Sequence, residues 1–333
     1  MRLVHLALAL SVVAVPANAQ RQGAPIIDMH LHALTIDFLG DVPACTGAQK
    51  PLQPTVDPRR PFDPNVLGKC PEPLPSSASN QALMRESLAM LAKFNIRRAV
   101  TAGALSEVTK WRAAAPDVII PAQNFATAKK PLPLAELRRL HGIGAFSIFA
   151  EVGPQSEGIS AGDARWAPFY ALAEELDIPV GVHLGEGPPA AARFPGYETY
   201  RASLTSPFQL EEVLWRHPKL RIYVMHYASP LVDEMIAMMF THPNLYVDIA
   251  GNNWISPPIQ FHDHLKRMVD AGFGERIMFG SDQMIWPGAI AQAVKSVDEA
   301  TFLTAVQKRD IFYNNAARFL RLTGAQIAAD HKD

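Results

Sequence analysis

Two patterns of apolar residues alternate along this chain from Pro25 to Leu322. In one, short runs are almost continuously apolar, as in strands buried on both faces. In the other, apolar residues recur every three to four positions, as on one side of a helix. The runs predict strands at Pro25–Ala33, Arg98–Ala102, Val118–Ala122, Gly144–Val152, Pro179–Leu184, Leu220–Met225, Leu245–Ala250 and Arg276–Gly280. The periodic stretches predict helices at Gln81–Phe94, Glu107–Ala115, Leu134–His141, Trp166–Leu176, Pro207–Arg216, Leu231–Phe240, Ile259–Ala271 and Ile290–Ala300, with a closing helix at Lys308–Leu322. Strands alternating with helices argue for a parallel sheet, and eight such units are the count of a closed (β/α)8 barrel. A doubly wound open sheet is the alternative. It would be favoured by a glycine-rich turn after the first strand, and none is present.

Two stretches break the alternation. Arg2 opens a segment whose apolar run, Leu3 to Val15, is interrupted only by His5 and Ser11, and Ala17-Asn18-Ala19 supplies a small-x-small cleavage site. This reads as a signal peptide over residues 1–19, too short to span a bilayer, with an exported mature chain beginning near Gln20 and no membrane anchor after cleavage. The domain plan is then one barrel over residues 20–333. The second stretch is an insertion at 34–80, straight after the first strand, with prolines at 43, 51, 54, 58, 61, 64, 71, 73 and 75. Such a segment forms neither a regular helix nor a central strand, and its position predicts a lid over the site. It also holds both cysteines, Cys45 and Cys70. In an oxidising compartment, periplasmic or extracellular, the pair is expected to be bridged.

Length and charge narrow the function. A chain of 333 residues with a net charge of −1 can bury a full core and carries no basic footprint for nucleic acid. The expected partner is a small-molecule substrate, and a homo-oligomer is compatible with the sequence.

The chemistry lies at strand ends. His30 and His32 are two residues apart on a strand, so they point the same way and can share one metal ion. In a (β/α)8 barrel, functional side chains sit at the C-terminal ends of strands. Those ends carry Glu151 after strand 4, His183 after strand 5, His226 after strand 6 and Asp282 after strand 8. Six metal-competent side chains are thus predicted at one mouth. Each has a plainer reading: Glu151 as a solvated carboxylate, His183 as a core histidine, His226 as a substrate contact, Asp282 as a helix cap. His262 and His264 fall on a helical stretch, where spacing two does not align side chains, and are read as surface. Mixed His and carboxylate donors suit zinc first, with manganese or iron as alternatives. For substrate contacts the candidates are Arg193 and Arg201 in the loop after strand 5, with Trp254 and Trp286 as an apolar wall.

These residues carry a resemblance. Ile27-Asp28-Met29-His30-Leu31-His32, Val182-His183, Val224-Met225-His226, Met278-Phe279-Gly280-Ser281-Asp282 and the helix Ile311–Leu320 resemble the amidohydrolase superfamily of TIM-barrel enzymes, in its amidohydrolase-2-like branch, over about residues 25–323. The resemblance implies a hydrolase with one or two metals. The strand-1 pair and the strand-8 aspartate would hold one ion, and the histidines of strands 5 and 6 a second. Glu151 would stand where the family places a bridging group, and Asp282 would act as general base and then acid. The leading expectation is an exported metal-dependent hydrolase of an amide, ester or lactone bond. The alternatives are a metal-dependent decarboxylase or hydratase of a small carboxylic acid, as in related proteins, and a metal-free binding protein on the same barrel.

Overall fold

The computed structural model describes residues 23–49, 57–63, 68–125, 131–187, 190–193 and 197–332. The signal-peptide reading falls on residues outside these. The strands are β1 Ile26–Ala33, β2 Ile96–Gly103, β3 Ile119–Gln123, β4 Ile148–Val152, β5 Val180–His183, β6 Ile222–Met225, β7 Leu245–Asp248 and β8 Ile277–Met278. All neighbours pair in parallel, and the order in the sheet is the order in the sequence. Backbone hydrogen bonds from Met29 N to the Phe279 carbonyl (2.9 Å), His32 N to the Gln283 carbonyl (3.1 Å) and Asp282 N to the His30 carbonyl (2.7 Å) join the two edges. The sheet is thereby the wall of a (β/α)8 barrel, with Asp282 beside His30.

Side chains inside the barrel are packed as a core: Ile27, Met29, Val100, Ala122, Ile148, Tyr223, Met225 and Met278 are all buried. Tyr313 and Phe319, from the closing helical segment, join this cluster. A second core lies between the strands and the ring of helices. The helix Asn80–Lys93 shows how the ring is built. Ser79 caps it by accepting from Ala82 N (3.1 Å), and Leu83, Ser87 and Leu91, four apart, form its buried stripe.

The expected helices differ in detail. The stretch read as 207–216 begins as a 3-10 turn, Pro207–Leu210, before the α-helix Glu211–Arg216. The stretch read as 259–271 runs as an α-helix only over Pro258–Met268, because Gly272 adopts φ 92° in the wide turn that follows. Beyond Leu322 a further helix forms, Gly324–Asp330, opened by a capping box of Thr323 and Gln326. It docks through Asp330, whose carboxylate accepts from Arg98 Nε (2.7 Å) and the Tyr313 hydroxyl (2.8 Å).

The described residues of the insertion include the 3-10 turns Ile36–Phe38 and Gly47–Gln49 and an antiparallel bridge between Ala44 and Leu74. The Cys45–Cys70 disulfide is present. Trp286 Nε1 donates to the Val42 carbonyl (2.7 Å) and Ser77 N to the Ile285 carbonyl (3.2 Å). From the other side, Arg193 Nη2 donates to the Arg60 carbonyl (3.3 Å). These contacts tie the insertion to the loops after β5 and β8. Among the described residues no helix is long and apolar enough to cross a membrane.

Candidate metal centre

The two histidines of β1 meet the strand ends opposite them. His30 Nε2 and His32 Nε2 face each other at 3.2 Å. Asp282 Oδ1 lies 3.0 Å from His32 Nε2 and 3.5 Å from His30 Nε2. Glu151 Oε2 lies 3.7 Å from His32 Nε2, and Glu151 Oε1 lies 3.4 Å from His183 Nε2. The His183 and His226 rings are 4.6 Å apart, and those of His30 and His226 5.0 Å. Three sets of donor atoms each fall within 4.8 Å: His30, His226 and Asp282; His30, His32 and Glu151; Glu151, His183 and His226. All the side chains named as metal candidates from the sequence are therefore brought to one place.

The local backbone serves this convergence. His226 and Asp282 adopt left-handed conformations, with φ 60° and 50°. For residues with a Cβ this costs about 1–2 kcal/mol each, and strain of this kind concentrates at functional sites.

Tautomers follow from the partners. His226 Nδ1 faces the carbonyl oxygen of Ala250 at 3.0 Å. A carbonyl only accepts, so Nδ1 carries the proton and Nε2 is left for the mouth. His30 Nδ1 lies 3.1 Å from Asp248 Oδ2, which likewise accepts. Two imidazole nitrogens 3.2 Å apart need a proton or a cation between them. Two nitrogens each about 2.05 Å from a tetrahedral zinc would be about 3.3 Å apart, so the spacing fits a shared metal.

Residues 27–322 match the amidohydrolase family. The chain belongs to that family. A search of curated proteins returned no match. Solved structures similar to this chain include a probable 2-pyrone-4,6-dicarboxylic acid hydrolase from Acinetobacter baumannii, at 12% identity and TM-score 0.59, covering 89% of this chain and 99% of that one. A 5-carboxyvanillate decarboxylase from Sphingomonas paucimobilis aligns at 15% identity and TM-score 0.57, covering 90% and 100%. A 4-oxalomesaconate hydratase from Rhodopseudomonas palustris aligns at 16% identity and TM-score 0.52, covering 91% and 97%. At these identities the likeness is one of fold.

The electrostatics of the site favour a cation. Burial disfavours charge on His30, but the carboxylates of Asp282, Asp248 and Glu151 outweigh it and push its pKa up to about 10. Burial alone would raise the Asp282 and Glu151 carboxyls. The surrounding imidazoles, led by His30 for Asp282 and His183 for Glu151, hold both below the ordinary carboxylate range instead. His183 is desolvated and pushed down to about 4. A neutral imidazole and an ionised carboxylate are the forms a metal takes.

Asp248 and Asp28 were not singled out from the sequence. Asp248 is the only charged residue in Leu245–Ala250 and ends β7, so the rule that selected the other strand ends could have selected it. Asp28 lies beneath the site. Its Oδ1 accepts from His30 N and Ser281 N, both at 2.9 Å, and burial pushes its carboxyl up to about 6.

The candidate substrate residues are placed differently. Arg201 Nη1 donates to the carbonyls of Glu198 (3.0 Å) and Tyr200 (2.8 Å) in its own loop. Arg193 is turned to the insertion, as described above. Trp254 and Trp286 are buried and pack edge to face with ring centres 6.0 Å apart. Trp254 Nε1 donates to the Ser281 carbonyl (2.8 Å), next to Asp282. Tyr197, in the loop after β5, is mostly buried and is pushed up to about 12 by desolvation and by the charges of Glu151 and Asp282, which marks it as a neighbour of the site. The reading of His262 and His264 as surface is corrected. His264 is buried with Nδ1 3.3 Å from the Tyr227 hydroxyl, and His262 Nε2 donates to the Ser296 carbonyl (2.9 Å). Their helix lies between two neighbours, so residues two apart each meet one.

Proposed function

We propose that this chain is an exported metal-dependent hydrolase that attacks an amide, ester or lactone bond of a small molecule with water activated at a two-ion centre. The observation that carries this is the carboxylate of Glu151, with Oε2 turned to His32 and Oε1 to His183. A carboxylate with one oxygen toward each set of imidazoles is suited to bridging two cations. His30, His32 and Asp282 would hold one ion, His183 and His226 the other, with zinc first by donor type and manganese or iron as alternatives. Divalent ions there would supply Lewis acidity and lower the pKa of water to about 7. Asp282, ionised at neutral pH, accepts the proton of the attacking water and returns it to the leaving group. Packed beside it, Trp254 and Trp286 keep that edge of the mouth dry. Export is supported by the disulfide, which persists in oxidising compartments.

A second reading, decarboxylation or hydration of a small carboxylic acid, draws on the names of two of the similar structures. It calls for a cation to receive the substrate carboxylate. Arg193 and Arg201, the candidates for that role, donate to main-chain carbonyls instead.

The test is turnover of the metal-loaded protein on a panel of lactones, esters, amides and aromatic acids. Hydrolysis should disappear with a chelator and return with zinc or manganese. Asp282→Asn should keep most of the metal and lose about 10²–10⁴-fold in turnover. Full activity in that variant removes the general-base role, and release of carbon dioxide in place of hydrolysis favours the second reading.

A further inference from the structure

We propose that Asp248 is a positioning residue that presents both His30 and His226 to the metal centre and so couples its two halves. This rests on the metal-centre reading above. Its Oδ2 receives His30 Nδ1 at 3.1 Å. Its Oδ1 receives two backbone N–H groups, His226 N at 2.8 Å and Ala250 N at 3.1 Å. The Ala250 carbonyl in turn receives His226 Nδ1 at 3.0 Å. One buried carboxylate therefore fixes the tautomer and ring direction of the first histidine directly. It fixes those of the second through a single residue, Ala250, whose N–H it accepts and whose carbonyl receives His226.

This arrangement is asymmetric across the site. Among the described residues, His32 Nδ1 and His183 Nδ1 are buried and have no hydrogen-bond partner. Of the four imidazoles, the two with an oriented Nδ1 are thus the two that depend on Asp248. In the proposed two-ion arrangement they are assigned to different positions, His30 with His32 and Asp282, His226 with His183 and Glu151, while their donor atoms also fall within 4.8 Å of each other in one set with Asp282. Partners that hold the distal nitrogen of a ligand histidine raise its basicity and fix its orientation, and their loss typically costs 10–100-fold in metal affinity.

Asp248→Asn is the informative change. The amide oxygen can still accept from the two backbone N–H groups, and its NH2 then meets the Nδ1–H of His30. Two donors in contact force the imidazole to rotate or to move its proton to Nε2, which removes it as a ligand. Purified full-length protein, stripped and titrated with zinc against a chromophoric chelator, should show about a 10–100-fold loss of affinity in the variant. The metal-free form should remain folded but lose some stability as well, since its buried His30–Asp248 pair is broken. In the zinc-loaded wild type the Nδ1–H of His30 should give an exchange-protected, downfield imidazole proton signal that Asp248→Asn abolishes. Should the asparagine variant not fold, Asp248→Ser is measured in its place, with the same expected loss. Unchanged zinc affinity in a folded variant overturns the proposal, as does a fall in metal-free stability with no change in affinity. A wild type that takes up no zinc, manganese or iron instead overturns the metal-centre reading and this inference with it.

Discussion

Replacing Gly251 by alanine should damage the metal centre without touching a candidate ligand. Gly251 has φ 68° and ψ −63°, and Asn252 N donates to the Ala250 carbonyl at 2.7 Å across it. This is a γ-turn of the hand that is rare and strained for residues with a side chain. Holding alanine there costs on the order of 1–3 kcal/mol. The new Cβ would also lie 2.8 Å from Asp282 Oδ2 and 3.2 Å from His226 Nδ1. Ordinary contact requires about 3.4–4 Å, so the carboxylate must retreat by roughly half an ångström, the tolerance within which such sites must be held. We expect a loss of about 2–3 kcal/mol in metal-free stability, read from urea unfolding, and about a tenfold or greater loss of zinc affinity against a competing chelator. A domain stable by about 5–15 kcal/mol survives that loss and can be assayed. Gly272→Ala is the matched comparison. It has φ 92° but an added Cβ meets nothing within 4 Å, so it should lose about 1 kcal/mol or more in stability and leave zinc affinity unaltered. If Gly251→Ala behaves like Gly272→Ala, the close approach of the β7 loop to Asp282 does not matter to the site and the reasoning fails.

Two further outcomes follow from the same geometry. In the metal-free protein His30, with its pKa pushed up to about 10, holds a proton at neutral pH that a metal must displace. Apparent zinc affinity should therefore rise as pH increases from 6 to 9, by up to about tenfold per unit for this group, with a proton released on uptake that a dilute indicator dye can report. Affinity independent of pH over that window would contradict the assignment of His30. For the insertion, the bridge closes a separation of 25 residues, worth about 3.5 kcal/mol in the chain-entropy account. Cys45→Ser with Cys70→Ser should make residues 34–80 the first site of limited proteolysis while the barrel core stays resistant, and an unchanged cleavage pattern would show that packing against Trp286 and Ile285 suffices without the bridge.

The barrel was legible because its strands are apolar enough to stand out from the helices between them. The candidate metal residues were legible because a strand has period two and a barrel exposes its strand ends: His30 and His32 needed the first fact, Glu151, His183, His226 and Asp282 the second. Asp248 was passed over because the predicted strand ran on to Ala250 and so placed it inside the strand, whereas β7 ends at Asp248. The helix Gly324–Asp330 was missed although Thr323-x-x-Gln326 is a capping signature, because a stretch this short, with Ile327 as its one large apolar side chain, shows no periodic stripe and its docking depends on Arg98, more than two hundred residues away. Arg193 and Arg201 looked like substrate contacts by position alone. Sequence says nothing of the carbonyls that Arg60, Glu198 and Tyr200 offer them. The insertion's course could not be read because its described turns are held by non-local contacts such as Trp286 with Val42.

The central claim is that one carboxylate bridges two ion positions, and metal content per chain tests it most directly. Purified protein reconstituted with zinc or manganese is measured by elemental analysis for the wild type and for Glu151→Ala, the residue whose two oxygens lie 3.7 Å and 3.4 Å from His32 and His183. The account predicts about two ions per chain in the wild type, falling towards one in the variant. One ion in both proteins would contradict it, removing Glu151 from the centre and leaving a single-metal chemistry to be sought.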